Sequence, residues 1–310
     1  MEQKRFVWLA VVVGLLVIAG CGGSGGKKNR RNGGLSPADL ESRARAIGDS
    51  DPFLKASAYV DAGHAYLKAK DKATARRMFG EAGKAASGIH KKQAAFDRAD
   101  AYAKLADAWA QYPKEDECED AYEEVQEVIE NLNSGDKCAI YVRLARVKVK
   151  IDEQDEAVKD LKAAEALMEE VTSLEERVKI MSNVVKAFVE MGNKDEANRV
   201  LTEAMEFANA QPAAGDKSEL LAIVGRTQVE TLKDSAAGLA TVDEALKIAR
   251  TVKDVNLRAN RMYEIAVLYI ALKKRKTGCS ILAEAKELVR NLSEGKPVLE
   301  KIEKLQTKSC

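Results

Sequence analysis

Residues 181–204 read MSNVVKAFVEMGNKDEANRVLTEA. Met181, Val184, Val185 and Phe188 fall at i, i+3, i+4 and i+7, which is one face of a helix. The polar stretch GNKD at 192–195 interrupts that periodicity as a turn does. After it, Ala197, Leu201 and Ala204 make a second stripe, small then large then small, at i, i+4 and i+7. The stretch therefore predicts two amphipathic helices joined by a short turn.

The same stripes recur along the chain. Small residues that open a second helix stand at Ala75, Cys118, Ala157, Ala197, Gly238 and Gly278, spaced 43, 39, 40, 41 and 40 residues apart. Four residues on from each lie Phe79, Tyr122, Leu161, Leu201, Val242 and Leu282; seven on lie Ala82, Val125, Ala164, Ala204, Ala245 and Ala285. Each preceding helix carries its own stripe, as in Tyr59-x-x-Ala62-Gly63-x-x-Tyr66, Tyr102-x-x-Leu105-Ala106-x-x-Trp109 and Met262-x-x-Ile265-Ala266-x-x-Tyr269. Tyr141-x-x-Leu144-Ala145 continues the series. A supersecondary unit repeated near a fixed period is the signature of a stacked array. The fifth unit departs, because Arg226 falls where the small residue is expected, and its first helix is predicted to be shifted or irregular.

These stripes resemble the tetratricopeptide repeat, whose pattern is W-x2-L-G-x2-Y followed by A-x3-F-x2-A. The period near 40 is longer than that family's 34 and implies longer helices or turns. The resemblance covers roughly residues 53–292. It implies an all-α fold: a right-handed α-solenoid of about six helix-turn-helix repeats, near 53–89, 92–132, 136–172, 174–211, 217–252 and 255–292. In that family the first helices line a groove, and positions between the packing residues point into it. Carried onto this chain, those positions are Arg146 and Lys150, Lys179 and Lys186, with Asp100 and Asp107 in the second repeat. A cationic middle beside an anionic stretch would receive an acidic peptide or a C-terminal carboxylate; ordinary solvated helix charge is the alternative.

Both ends of the array read as covered. Ser36 is a natural N-cap with Pro37 at the first helical position. KPVLEKIEKLQ near the carboxyl end predicts a last helix whose Val298, Leu299, Ile302 and Leu305 cover the final repeat. The organisation is then 1–20 signal peptide, 21–35 tether, 36–292 repeat domain and 293–310 capping helix.

The amino terminus has another character. Lys4 and Arg5 precede FVWLAVVVGLLVIAG, 15 uncharged residues from Phe6 to Gly20. A basic start, a short apolar run and small residues at its end describe a secretory signal peptide, and about 20 apolar residues would be needed to span a bilayer. Ile18-Ala19-Gly20-Cys21 resembles the lipobox of bacterial lipoproteins, with Ile18 where leucine is usual. That resemblance implies Cys21 as the first mature residue, carrying diacylglycerol and acyl chains; an uncleaved signal anchor is the alternative. GGSGGKKNRRNGG follows and predicts a flexible coil. Its Lys27, Lys28, Arg30 and Arg31 would favour an anionic lipid surface by about 1 kcal/mol each, or would simply keep the linker soluble. Gly22 rather than aspartate implies the outer membrane if the host has two.

Composition narrows the function. With 50 Lys+Arg against 49 Asp+Glu, no net field drives the chain onto nucleic acid. His64 and His90 have no His or Cys partner at metal spacing, and His64 reads as a surface residue. No phosphate loop, dinucleotide fingerprint or nucleophile elbow occurs. The acidic run at 114–130 lacks the calcium-loop pattern and reads as a solvated helix face. These observations predict no enzyme, no metal and no cofactor beyond the Cys21 lipid. Cys118 reads as a core residue, and Cys138, at the other end of its repeat, is out of its reach. Cys279 and Cys310 would meet if the last helix returns toward the previous one, giving either a disulfide or two free thiols. Two functions remain: a membrane-tethered scaffold that binds protein or peptide partners, or a lipoprotein that captures a small or oligomeric ligand.

Overall fold

A computed structural model describes residues 35–310 except 93 and 112–115. The apolar amino-terminal run, Cys21 and the four basic residues of the tether lie outside the described residues. Within them the fold is all-α, with fourteen α-helices and no strand. Among the described residues no helix is long and apolar enough to cross a membrane.

Helix α1 (Pro37–Ala46) starts with a closed capping box: Asp39 N donates to Ser36 Oγ at 3.2 Å, and Ser36 N donates to the Asp39 carboxylate at 3.1 Å. Helices then follow in pairs: α2 (Pro52–Lys68) with α3 (Lys72–Ser87), α4 (Ala95–Trp109) with α5 (Asp116–Ile129), and α6 (Ser134–Lys150) with α7 (Gln154–Leu167). Next come α8 (Leu174–Glu190) with α9 (Lys194–Asn209), α10 (Ala214–Glu230) with α11 (Ser235–Thr251), and α12 (Val255–Ala271) with α13 (Arg275–Val289). Helix α14 (Lys296–Ser309) is the last. Each first helix packs on its own partner and on the first helix of the next pair, from α2 through α4, α6, α8 and α10 to α12.

One turn design recurs inside the pairs. Lys70, Asp152, Gly192, Lys233 and Lys273 all adopt positive φ, between 61° and 77°. In four of these turns the next amide donates to the carbonyl five residues back: Asp71 to Tyr66, Glu153 to Lys148, Asn193 to Phe188 and Lys274 to Tyr269, at 2.8–2.9 Å. This is the left-handed C-terminal motif that satisfies the last helix carbonyls. The residue that closes it often caps the next helix as well. Asp71, Asn193 and Asp234 accept from Thr74 N, Glu196 N and Ala237 N.

The small-residue stripe exists because the paired backbones approach closely. A Cβ on Gly238 would stand 2.7 Å from Gly225 O, and one on Gly278 would stand 2.9 Å from Ala266 O. Cys118 fills the same register, its sulfur 3.5 Å from Ala106 O. The residues seven further on, from Ala82 to Ala285, are all fully buried. Two of the large positions are less buried than expected: Tyr122 and Leu201 are half-buried, with Val200 taking the inner place beside Leu201.

The fifth pair corrects the expectation of irregularity. Helix α10 is an unbroken 17-residue helix. Its stripe is Leu221-x-x-Val224-Gly225, so the small residue is Gly225 and not its neighbour. Arg226 is exposed and pairs with Glu230 at 3.1 Å. The small residue thus lies one position earlier than the spacing predicts.

Buried side chains form two clusters that share α6: one from Ala44 to Val147, the other from Cys138 to Ile302, with Tyr141 packed against both. At the amino-terminal end, buried Glu41 accepts from Tyr66 Oη at 2.7 Å and Arg77 at 2.9 Å. At the other end α14 packs on α12 and α13 through Val298 and Ile302. Cys279 and Cys310 are disulfide-bonded, with 5.8 Å between their Cα atoms.

Candidate functional site

The first helices α2, α4, α6, α8, α10 and α12 lie side by side in chain order, so residues between their packing stripes share one face. The structure engages most of the charges expected there. Arg146 of α6 forks onto Glu190 of α8 through Nε and Nη2, at 2.7 and 2.9 Å. Its guanidinium is held more firmly protonated by that hydrogen-bonded carboxylate. Lys150 reaches back to Asp107 of α4 at 2.5 Å. Lys179 pairs with Glu175 one turn earlier on α8. Lys186 is exposed and has no ion pair among the described residues.

Asp100 is a correction. Instead of presenting an anionic stretch, it is buried, 5% exposed, beneath Arg143 of α6 and Lys104 of α4, the latter at 2.8 Å. Two cations share one carboxylate there. Beside them Asp61, His64, Lys104, Asp107, Arg143 and Arg146 line a cleft of about 260 Å³. His64 is half-buried rather than on the surface. Its ring meets Phe79 edge-on at 5.5 Å, its Nδ1 lies 3.2 Å from Gln111 Nε2, and burial lowers its pKa.

A second cleft, of about 290 Å³, opens on the same face between α8, α10 and α12. Its floor is apolar, with Ala222, Ile223, Val267 and Leu268. Arg261 stands at its edge and pairs with Glu219 of α10 at 2.5 Å and with Glu264 of its own helix at 2.8 Å. The Arg261 and Glu219 side chains are only 13% and 17% exposed. Desolvation, reinforced by Glu175 and Glu264 against the pull of Arg261, pushes the Glu219 carboxyl up to about 7. Here one guanidinium serves two carboxylates.

The sequence reading missed Glu219, Arg261 and Glu264, and the signal was available. Counted from Leu221, Glu219 occupies the register of Asp100 and Lys179, two residues before the stripe begins. Arg226 likewise occupies the register of Asp107, Arg146 and Lys186. The one-residue slip in the fifth pair hid both. Arg261 breaks a pattern too: the residue just before the stripe is Ala58, Ala101, Ile140, Ile180 and Leu220 in the other first helices.

Other reactive groups are quiet. Cys118 and Cys138 are buried free thiols, and burial raises the Cys138 thiol to about 11, so it is not a nucleophile at neutral pH. On α5, Glu117, Glu124 and Glu127 pair with Arg76, Arg98 and Lys91 of neighbouring segments, and Glu130 just after it pairs with Lys137. Among the described residues no group of His, Cys, Asp and Glu could hold a metal ion. No family model matches this chain, and no curated protein matches it.

Proposed function

We propose that the chain is a membrane-tethered lipoprotein of a bacterial cell envelope, acting as a scaffold that binds other proteins along the face of its first helices. In this reading the helical body is a right-handed α-solenoid of six tetratricopeptide-like repeats closed by α1 and α14. Diacylglycerol on Cys21 is the anchor, Lys27, Lys28, Arg30 and Arg31 add hold on an anionic surface, and the outer membrane is the destination where two membranes exist. The observation that carries the reading is the packing of each first helix on the next, from α2 to α12, which lays their outward positions on one continuous face. A continuous face built from successive helices suits a chain or helix of a partner more than a small molecule. The clefts fit that use, since each is open and only about 260–290 Å³.

Fractionation and capture test it together. Cys21→Ser should move the protein out of the membrane fraction while it still retains the same envelope partner. Persistence in the membrane after high-salt washing would mean a spanning anchor. Failure of both forms to retain any protein would remove the scaffold.

A further inference from the structure

We infer that the cleft between α8, α10 and α12 receives one cationic side chain, a lysine or arginine flanked by apolar residues on a partner peptide, which settles between Glu219 and Glu264. This rests on the scaffold reading and names the chemistry its partner presents there. Charge balance is the first argument. Arg261 is shared by Glu219 and Glu264, while the other two cations of the lining are each taken by a carboxylate of their own, Lys179 by Glu175 and Arg226 by Glu230. The Glu219–Arg261–Glu264 cluster therefore holds two carboxylates to one cation, with Glu219 largely buried and Glu264 open to solvent.

Placement is the second argument. Arg261 occupies a register that is apolar in every other first helix, and Val267 is 38% exposed on the cleft floor. An exposed valine beside one largely buried and one exposed carboxylate suits an aliphatic stem that ends in a cation.

Protons supply the third. Around Glu219 stand Glu175 and Lys179 from α8, Arg226 from α10 itself, and Arg261 and Glu264 from α12. Helices α9 and α11 also pack on α10 but contribute nothing to the cleft lining. With its carboxyl pushed up to about 7 by burial, Glu219 is partly protonated at neutral pH. A guest ammonium replaces that proton, which leaves to solvent as the carboxylate forms. Binding then strengthens as pH rises through 7, about tenfold between pH 6 and pH 8 if only the ionised form binds.

The test uses the full chain in detergent and a capped peptide, acetyl-Gly-Ala-Leu-Lys-Leu-Ala-Gly-amide, followed by titration calorimetry. The lysine peptide should bind about tenfold tighter at pH 8 than at pH 6 and release protons below pH 7. Its counterparts with glutamate or norleucine in place of lysine should bind more weakly. Glu219→Gln, with helicity checked, should flatten the pH dependence; Glu264→Gln, a second variant at an exposed position, should weaken binding. Equal binding of the lysine and norleucine peptides, or an unchanged pH dependence in Glu219→Gln, would overturn the inference. Envelope partners retained equally at both pH values and by Glu219→Gln would overturn it while leaving the scaffold. Retention of no partner alongside the expected peptide behaviour would remove the scaffold and leave the cleft.

Discussion

Asp100 and Glu219 occupy the same register on two first helices, yet their surroundings are opposite. In the amino-terminal half, Asp100 lies under two cations, Arg143 and Lys104. In the carboxyl-terminal half, Glu219 shares its one guanidinium with Glu264. The first arrangement leaves surplus positive charge that can turn to water, because Arg143 and Lys104 are each about a third exposed. The second leaves surplus negative charge of which one member, Glu219, sits where water reaches poorly, and burial pushes its carboxyl up to about 7. Identical backbone positions thus produce an ordinary ion cluster in one half and a titrating group in the other. The difference comes from the cross-helix neighbours.

Arg261→Leu should break the comparison most strongly. It strips Glu219 of its counter-charge and should cost about 2 kcal/mol at pH 8, less than for a fully buried pair, measured by denaturant unfolding. The loss should shrink toward pH 5, where Glu219 is protonated. Asp100→Asn, by contrast, should cost about 1 kcal/mol, since its two cations can reach solvent.

Glycine usage sharpens the contrast between the halves. Gly225→Ala in α10 would put a methyl group 2.8 Å from Gly238 O and should cost about 1–3 kcal/mol. Gly80→Ala and Gly83→Ala in α3 meet nothing within 4 Å and should each stabilise by about 0.5–1 kcal/mol. The turn lysines come next. Lys70→Gly in one half and Lys233→Gly or Lys273→Gly in the other should each stabilise by about 0.5 kcal/mol, because glycine adopts positive φ without Cβ strain. The smallest effect is expected from Lys150→Ala, a few tenths of a kcal/mol on the order of other half-exposed pairs. Melting temperatures in one buffer would rank the set.

Much of the helical layout was legible because it rests on periodicity. Stripes such as Met181, Val184, Val185 and Phe188 are buried as a 3.6-residue period requires. Ser36 caps α1, and the turn read at 192–195 marks the junction of α8 with α9, which begins at Lys194. The failures have a different origin. Gly225 and Arg226 are adjacent: the spacing back from Gly238 points to Arg226, while the local stripe Leu221-x-x-Val224-Gly225 selects Gly225, whose close approach to Gly238 decides the register. Asp100 was placed outward by register, but its burial is set by Arg143, 43 residues away. The Glu219 cluster draws on α8, α10 and α12 at once, and its charge balance is a property of their packing. Lys70, Lys233 and Lys273 could not be read as left-handed residues because lysine carries no such preference.

The most direct measurement is the titration of the Glu219 carboxyl in the full chain, followed by the carboxyl carbon resonance with Glu219→Gln for assignment. The account predicts a midpoint near 7, well above the ordinary glutamate value of 4.5, and stability that declines as pH rises from about 4.5 through 7 because the folded chain holds a proton the unfolded chain has released. In Glu219→Gln that decline should be absent. A midpoint near 4.5, with no difference between wild type and variant in the pH dependence of unfolding, would contradict it.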